Sequence, residues 1–222
     1  MKELPQNYSR MGGYASILIG ILFLIIPAIR FLSISIIGVS DIKELSNPMI
    51  MLPFISENPL IALLILIAFA LAGCLIFVVL AVDERIRQHA PRRSRIARIV
   101  GFAVSPMILS VGVIGFLGIM ELSRLYKIHV PGVGGAFIGI KTVVTGLALT
   151  AIVAIGIWLL LVNWSSLKSD KFPKPLVYAG LTFGLLHLFG LAPFIFIIDA
   201  IWFLCLGILL LKIRDQNEIG TG

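Results

Sequence analysis

Charged residues are scarce in this sequence. They make up 13% of the 222 residues, whereas hydrophobic residues make up 59% and the mean hydropathy is +1.08. Soluble domains have about 25% charged residues, so this composition excludes an ordinary soluble protein and indicates an integral membrane protein. We predict an all-α fold, a bundle of six transmembrane helices with both termini in the cytoplasm. Such a bundle uses the whole length, so residues 1–222 are predicted to form a single membrane domain.

Cysteine and histidine are also rare, with two and three residues respectively. Cys74 and Cys205 lie inside apolar runs without a CxxC pattern, which excludes a disulfide framework and a zinc site. Haem between helices would need paired histidines, but His89 and His129 fall in loops and only His187 lies in a predicted span. No GxSxG, HExxH or Cys–His arrangement is present. The sequence therefore predicts no cofactor and favours a non-enzymatic role.

Long apolar runs are what the sequence has in abundance. One crossing of a bilayer needs about 20 apolar residues. The predicted spans are residues 12–31, 59–82, 99–120, 141–163, 176–191 and 194–211. The mixed segment 33–58 is predicted to lie on the outer side, with its apolar piece 48–55 as an interfacial or re-entrant segment. A lid over a cavity is the alternative interpretation of this segment.

Basic residues concentrate on one side of the predicted membrane. The segment 83–98 carries six arginines and is predicted to be an inner loop, in which Pro91 separates one helix from the next. With the amino end inside, the inner segments hold 13 lysines and arginines and the outer segments three. This asymmetry follows the positive-inside rule. We therefore predict a multi-pass protein of the plasma (cytoplasmic) membrane of a prokaryote.

The arginines of segment 83–98 are predicted to contact anionic lipid headgroups at the inner leaflet. They are Arg85, Arg87, Arg92, Arg93, Arg95 and Arg98. The net charge of +7 also suggests nucleic acid, but these arginines lie between apolar runs without interleaved aromatic residues, so no nucleic-acid partner is predicted. The predicted partners are membrane lipids and helices of other proteins. Ala68, Ala72 and Gly73 form a small-residue stripe that lets a helix approach closely.

Two ionisable residues fall within the last apolar hairpin, residues 176–212. His187 lies six residues before Pro193 and Asp199 six residues after it, so a bend near Pro193 brings both to the same depth. A lone charge at that depth costs at least about 2.5 kcal/mol. We therefore predict that the two side chains are within hydrogen-bonding distance. Gly180 and Gly184 share a helix face with His187, which predicts a close helix neighbour there.

Five polar residues of the outer half form the candidate polar cluster. They are Arg30, Glu121, Lys141, His187 and Asp199. Brought together, they would line an outward-facing polar cavity. In the alternative interpretation the first three are solvated at the interface, while His187 and Asp199 form a structural pair that fixes the hairpin register. For Lys141, snorkelling to the interface is favoured over Schiff-base chemistry, which needs a desolvated amine in a pocket.

Four stretches carry a resemblance to a known family. They are VDERIRQHAP at 82–91, VNWSSLK at 162–168, FPKPLVYAG at 172–180 and IWFLCLGILLLK at 201–212. Residues 59–214 resemble an uncharacterised family of six-helix prokaryotic membrane proteins that carries only a domain-of-unknown-function label. The resemblance rests on helices and connectors without a chemical motif. It implies the six-helix architecture and no active site.

Three functional hypotheses follow. The leading one is a non-enzymatic membrane protein, either an accessory subunit or a binder of a small or lipid-like ligand. The second is a small transporter or proton-coupled carrier using His187 and Asp199, with paired Gly-Gly and Pro-Leu dipeptides hinting at an inverted repeat. The third is a lipid-modifying membrane enzyme with its site in the candidate polar cluster.

Overall fold

The computed structural model describes residues 7–37, 47–57, 60–167, 172–189 and 192–219. These residues form seven α-helices: α1 Asn7–Ile37, α2 Pro48–Glu57, α3 Leu60–Arg87, α4 Pro91–Lys127, α5 Val133–Ser166, α6 Lys174–Leu188 and α7 Ala192–Ile219. The predicted all-α class is confirmed. The predicted hairpin bend lies partly outside the described residues, which omit Gly190 and Leu191.

Five of the described helices, α1, α3, α4, α5 and α7, contain stretches long and apolar enough to cross a membrane. Helices suit that environment because they satisfy their backbone hydrogen bonds internally. The chain is therefore a multi-pass helical membrane protein. The remaining predicted span, 176–191, corresponds to α6, which has 15 residues. At 1.5 Å per residue α6 is about 22 Å long, shorter than a hydrocarbon core of about 30 Å.

Six of the helices pack in a closed ring. α1 packs on α3, α3 on α4, α4 on α5, α5 on α6, α6 on α7, and α7 returns to α1. The short helix α2 packs on α4 and α5, where Leu52 is fully buried against Leu122, Val133 and Phe137. Ser123 Oγ donates a hydrogen bond to the Leu52 carbonyl. The apolar piece predicted at 48–55 is therefore a short helix docked on two longer ones.

The helices run beyond the predicted spans. α4 starts at Pro91 and continues to Lys127, whereas the predicted span covers only 99–120. The segment 83–98, predicted as a loop, is helical on both sides of a turn at 88–90. The span prediction counts apolar residues across the hydrocarbon, while arginine and glutamate also favour helix. Pro91 opens α4 as predicted, since the first helical turn does not need its missing N–H.

Aromatic side chains fill the centre of the ring on the side nearer the 88–90 turn. Trp158 of α5 meets Trp202 of α7 edge to face at 5.9 Å between ring centroids. Phe203 stacks on Trp158 at 6.3 Å and contacts Phe23 of α1 at 5.8 Å. All four side chains are buried. This aromatic plug closes one half of the ring.

Candidate functional site

Glycines place His187 in the interior. Where α6 crosses α5, a Cβ on Gly156 would lie 2.6 Å from His187 Cβ, so only glycine leaves room for the imidazole. Further along the same contact, the Asn163 side chain occupies the space above Gly180. Asn163 is therefore part of this helix contact. The close neighbour predicted for the face of Gly180, Gly184 and His187 is α5.

His187 meets Asp199 across the α6–α7 hairpin. Its Nε2 lies 3.1 Å from Asp199 Oδ2, and the side chains are 0% and 2% exposed. The contact predicted from the hairpin symmetry is therefore present. On the other side of the imidazole, His187 Nδ1 lies 2.7 Å from the carbonyl oxygen of Phe183, one turn earlier in α6. Both imidazole nitrogens of His187 thus have a fixed partner.

These two contacts determine how many protons the pair holds. The Phe183 carbonyl can only accept, so His187 Nδ1 carries a proton and donates it. The 3.1 Å contact between Nε2 and Oδ2 then needs one more proton between them, on either atom. The pair is an imidazolium with a carboxylate, or a neutral imidazole with a carboxylic acid. Its net charge is zero in both arrangements, which avoids an uncompensated charge inside the protein.

A cleft of about 380 Å³ lies between α1, α3, α4, α5 and α7, beside this pair. Representative wall residues are Phe23, Ile67, Gly112, Ala151, Phe196 and Asp199. Asp199 is the single ionisable residue among the described wall residues. Leu64, 38% exposed, stands where the wall reaches the protein surface. Phe23 belongs both to the cleft wall and to the aromatic plug, where it contacts Phe203. Phe196 packs on Phe23, with ring centroids 6.0 Å apart.

One carboxyl oxygen of Asp199 has no hydrogen-bond partner among the described residues. Its Oδ2 is taken by His187. Its Oδ1 is buried and has no hydrogen-bond partner among the described residues. A buried acceptor without a partner costs about 1–3 kcal/mol, so native proteins rarely leave one. Oδ1 belongs to the one ionisable residue among the described residues that line the apolar cleft, and it is the most unusual polar atom of the candidate site.

Glu121 and Lys141 of the candidate polar cluster do not line the cleft. Glu121 is exposed near the end of α4 and pairs with Arg124, with Nη2 2.6 Å from Oε1. This matches the interpretation that Glu121 is solvated. Lys141 is half-buried on α5 and does not belong to the cleft wall. The Arg30 side chain lies outside the described residues. The polar cavity predicted as one alternative is therefore replaced by an apolar cleft, because of the four members whose side chains are described only Asp199 lines it.

Of the six arginines predicted to contact lipid, three interact with other side chains or backbone of the protein and three are exposed without an ion pair among the described residues. Arg85 Nη2 donates to Ser9 Oγ at 3.1 Å and to the Leu210 carbonyl at 3.3 Å, which ties α3 to α1 and α7. Arg98 pairs with the buried Asp83 at 3.2 Å. Arg93 lies over the exposed Trp164 ring, 5.5 Å from its centroid. Three arginines remain exposed without an ion pair among the described residues: Arg87, Arg92 and Arg95.

The apolar wall was missed by sequence reasoning, which searched for polar residues. The available indication was small residues on facing helices. A Cβ on Gly112 would overlap Ala68 Cβ, so α3 and α4 touch there, as the stripe of Ala68, Ala72 and Gly73 predicted; Gly73 itself is exposed, and a Cβ on it would meet no atom within 4 Å. Ala148 and Ala151 of α5 also line the cleft. Small side chains at these positions leave space where larger ones would fill the ring.

No known protein family, curated protein or solved structure matches this chain. The resemblance to the six-helix family therefore stays a prediction. Within the described residues, no group of three or more histidine, cysteine, aspartate or glutamate side chains is arranged to hold a metal ion.

Proposed function

We propose that this protein is a non-enzymatic binder of a small lipid-like molecule, which it holds in the cleft between α1, α3, α4, α5 and α7. The observation that supports this function is the wall of the cleft, which is apolar apart from Asp199 among its described residues. Binding sites for small molecules are usually mostly apolar with few polar groups that fix orientation. The cleft has this composition.

The size of the cleft limits which molecules can bind in it. Its volume of about 380 Å³ lies near the low end of small-molecule sites, which span about 300–1,000 Å³. A single apolar chain suits this volume better than a phospholipid with two chains. The phosphate of a phospholipid would also face Asp199, an acceptor with no hydrogen to donate from Oδ1.

A proton-coupled carrier is the second candidate, and the proton shared by His187 and Asp199 favours it. Ionisable residues buried in membrane helices form the proton relays of many pumps and transporters, and this pair lies beside the proposed ligand site. Transport requires that the pair exchange this proton with water on both sides. Proton uptake coupled to ligand movement in proteoliposomes would support the carrier, whereas ligand binding without proton movement would support the binder.

We also propose an orientation. Both termini and the arginine-rich turn would face the cytoplasm of a prokaryotic cell, with α6 as a short fifth crossing that completes the ring. The supporting observations are the excess of basic residues on that side and the exposure of Arg87, Arg92 and Arg95. Those three arginines would contact anionic headgroups at the inner leaflet of the plasma membrane.

Quenching of tryptophan fluorescence by 1-bromodecane tests the binding function. The full chain with Trp164→Phe is placed in phosphatidylcholine nanodiscs, leaving Trp158 and Trp202 as the two tryptophans. Both contact Phe203, which contacts Phe23 in the cleft wall. Bound bromine should therefore quench them with a saturable dependence on concentration, in addition to the linear part from ligand in the bilayer.

Two variants of α5 serve as a matched pair for this test. Ala148→Phe fills the cleft and should remove the saturable part. Val153→Phe adds the same ring on an exposed face of the same helix and should leave it intact. Quenching that is linear for the parent protein, or saturable quenching that survives Ala148→Phe, would contradict the proposed function.

A further inference from the structure

The spare oxygen of Asp199 is a hydrogen-bond acceptor in either proton arrangement of the His187–Asp199 pair. When the shared proton is on His187 Nε2, Asp199 is a carboxylate and Oδ1 carries negative charge. When the proton is on Oδ2, Oδ1 is the carbonyl oxygen of a carboxylic acid. Neither arrangement lets Oδ1 donate. Any polar group that the cleft recognises at this point must therefore bring the hydrogen.

We infer that the ligand is a lipid alcohol, with an apolar chain in the cleft and a hydroxyl group that donates a hydrogen bond to Asp199 Oδ1. The inference rests on the proposed ligand binding and names the chemical class of the ligand. A chain of contacts then runs from the ligand O–H to Asp199, from Asp199 Oδ2 to His187 Nε2 at 3.1 Å, and from His187 Nδ1 to the Phe183 carbonyl at 2.7 Å. Every polar atom of this chain has a partner.

Other polar groups fit the wall less well. A carboxylate or phosphate would place acceptor oxygens against Oδ1 of Asp199. An ammonium has three donors, whereas the described wall offers one side-chain acceptor without a partner, so two donors would be buried unsatisfied. A pure hydrocarbon would leave Oδ1 unpaired. A hydroxyl supplies a single donor and matches the single acceptor.

Position within the helices explains why a hydroxyl can be selected here. Asp199 lies on α7 one turn before the buried residues Trp202 and Phe203 of the aromatic plug. His187 on α6 fixes the position of the Asp199 carboxyl through its hydrogen bond. The close contact of α6 with Gly156 of α5 in turn fixes the position of His187. A rigid acceptor in an apolar cavity discriminates strongly against a ligand without the donor, because the site's polar atom is then left unpaired.

Three brominated probes of equal chain length test the inference in the nanodiscs described above. They are 2-bromodecan-1-ol, its methyl ether and 2-bromodecane, in which the bromine lies next to the polar end of the probe and therefore near Trp202 when that end is at Asp199. The alcohol should half-saturate the quenching of Trp158 and Trp202 at a concentration about tenfold lower than the ether, which keeps the oxygen and lacks the donor. Quenching is plotted against the measured concentration of each probe in the bilayer, so that differences in membrane partitioning are not mistaken for differences in binding.

Two variants of Asp199 separate the acceptor from the fold. Asp199→Leu should abolish the preference for the alcohol over the ether. Asp199→Asn should keep it, because the amide N–H can donate to His187 Nε2 and leaves the amide oxygen towards the cleft. Saturable quenching of the leucine variant by the bromoalkane, which needs no acceptor, shows that its loss of preference is not due to misfolding of the hairpin.

The outcomes test the alcohol assignment separately from the proposed ligand binding. Equal saturable quenching by all three probes would overturn the alcohol assignment and leave the binding function standing. Displacement of the brominated alcohol by decylamine at a lower concentration than by decan-1-ol would also overturn it, in favour of a cationic ligand. Linear quenching by all probes would contradict the proposed binding function itself.

Discussion

Gly156 of α5 and Gly184 of α6 face each other so closely that a Cβ on either would lie 2.9 Å from the carbonyl oxygen of the other. This reciprocal contact sets the distance between the two helices. It also places His187, one turn after Gly184, beneath the backbone of α5. The geometry of the His187–Asp199 pair therefore depends on two residues that have no side chain.

Gly156→Ala and Gly184→Ala should each destabilise the protein by about 1–3 kcal/mol, because the added methyl group forces the helices apart. Thermal unfolding in detergent measures the effect. Gly146→Ala is the matched control on α5, since a Cβ there meets no atom within 4 Å. Alanine favours helix over glycine by about 0.5–1 kcal/mol, so the control should be neutral or slightly stabilising. Equal melting temperatures for all three variants would show that the glycine contact does not hold α5 and α6 together.

The His187–Asp199 pair should be more sensitive to loss of one partner than to loss of both. His187→Leu leaves a buried carboxyl without its partner and should cost about 3–5 kcal/mol. Asp199→Leu leaves the Nε2 atom unpaired and should cost about 1–3 kcal/mol. The double variant restores an apolar contact and should melt above either single variant. Mild and additive single effects would show that the pair does not stabilise the hairpin.

Asp199→Asn is expected to be the mild exception among these variants. The Phe183 carbonyl fixes the proton on His187 Nδ1, so Nε2 can accept a hydrogen bond from an asparagine amide. Its melting temperature should lie closer to that of the parent than to that of Asp199→Leu. A drop as large as that of Asp199→Leu would contradict this assignment of the protons.

The pair was predictable from sequence and the cleft was not, for one physical reason. The depth of His187 and Asp199 follows from counting residues either side of Pro193 on two adjacent helices. The cleft depends on how residues as distant as Phe23 and Ile155 pack in a ring of helices, which no local pattern encodes. The far end of α4 was also missed, because hydropathy marks the hydrocarbon boundary and α4 continues past it to Lys127.

The exposed arginines should carry the affinity for anionic lipid. Replacing Arg87, Arg92 and Arg95 together with glutamine should reduce the enrichment of phosphatidylglycerol around the protein in mixed nanodiscs, since each contributes about 1 kcal/mol near the surface. Spin-labelled lipids measure this enrichment. Arg124→Gln is the control, because Arg124 is engaged with Glu121, and its effect should be smaller than one third of the triple variant's. Unchanged enrichment in the triple variant would exclude these arginines as lipid contacts.

The orientation can be tested at the two ends of α4, which are far enough apart to lie on opposite sides of a membrane. The helix has 37 residues and is therefore about 55 Å long at 1.5 Å per residue. His89 before it and Val130 after it are both exposed. Single cysteines at these positions, in a background with Cys74→Ala and Cys205→Ala, report which side each end faces.

An impermeant maleimide should label Val130→Cys in intact cells and His89→Cys only after the cells are permeabilised. The physical reason is the concentration of basic residues around His89, which are retained on the cytoplasmic side during insertion. The reverse pattern would place the arginine-rich turn outside and contradict the proposed orientation. Labelling of both positions from the same side would mean that α4 does not cross the membrane, and the ring of helices around the cleft would then need a different placement in the bilayer.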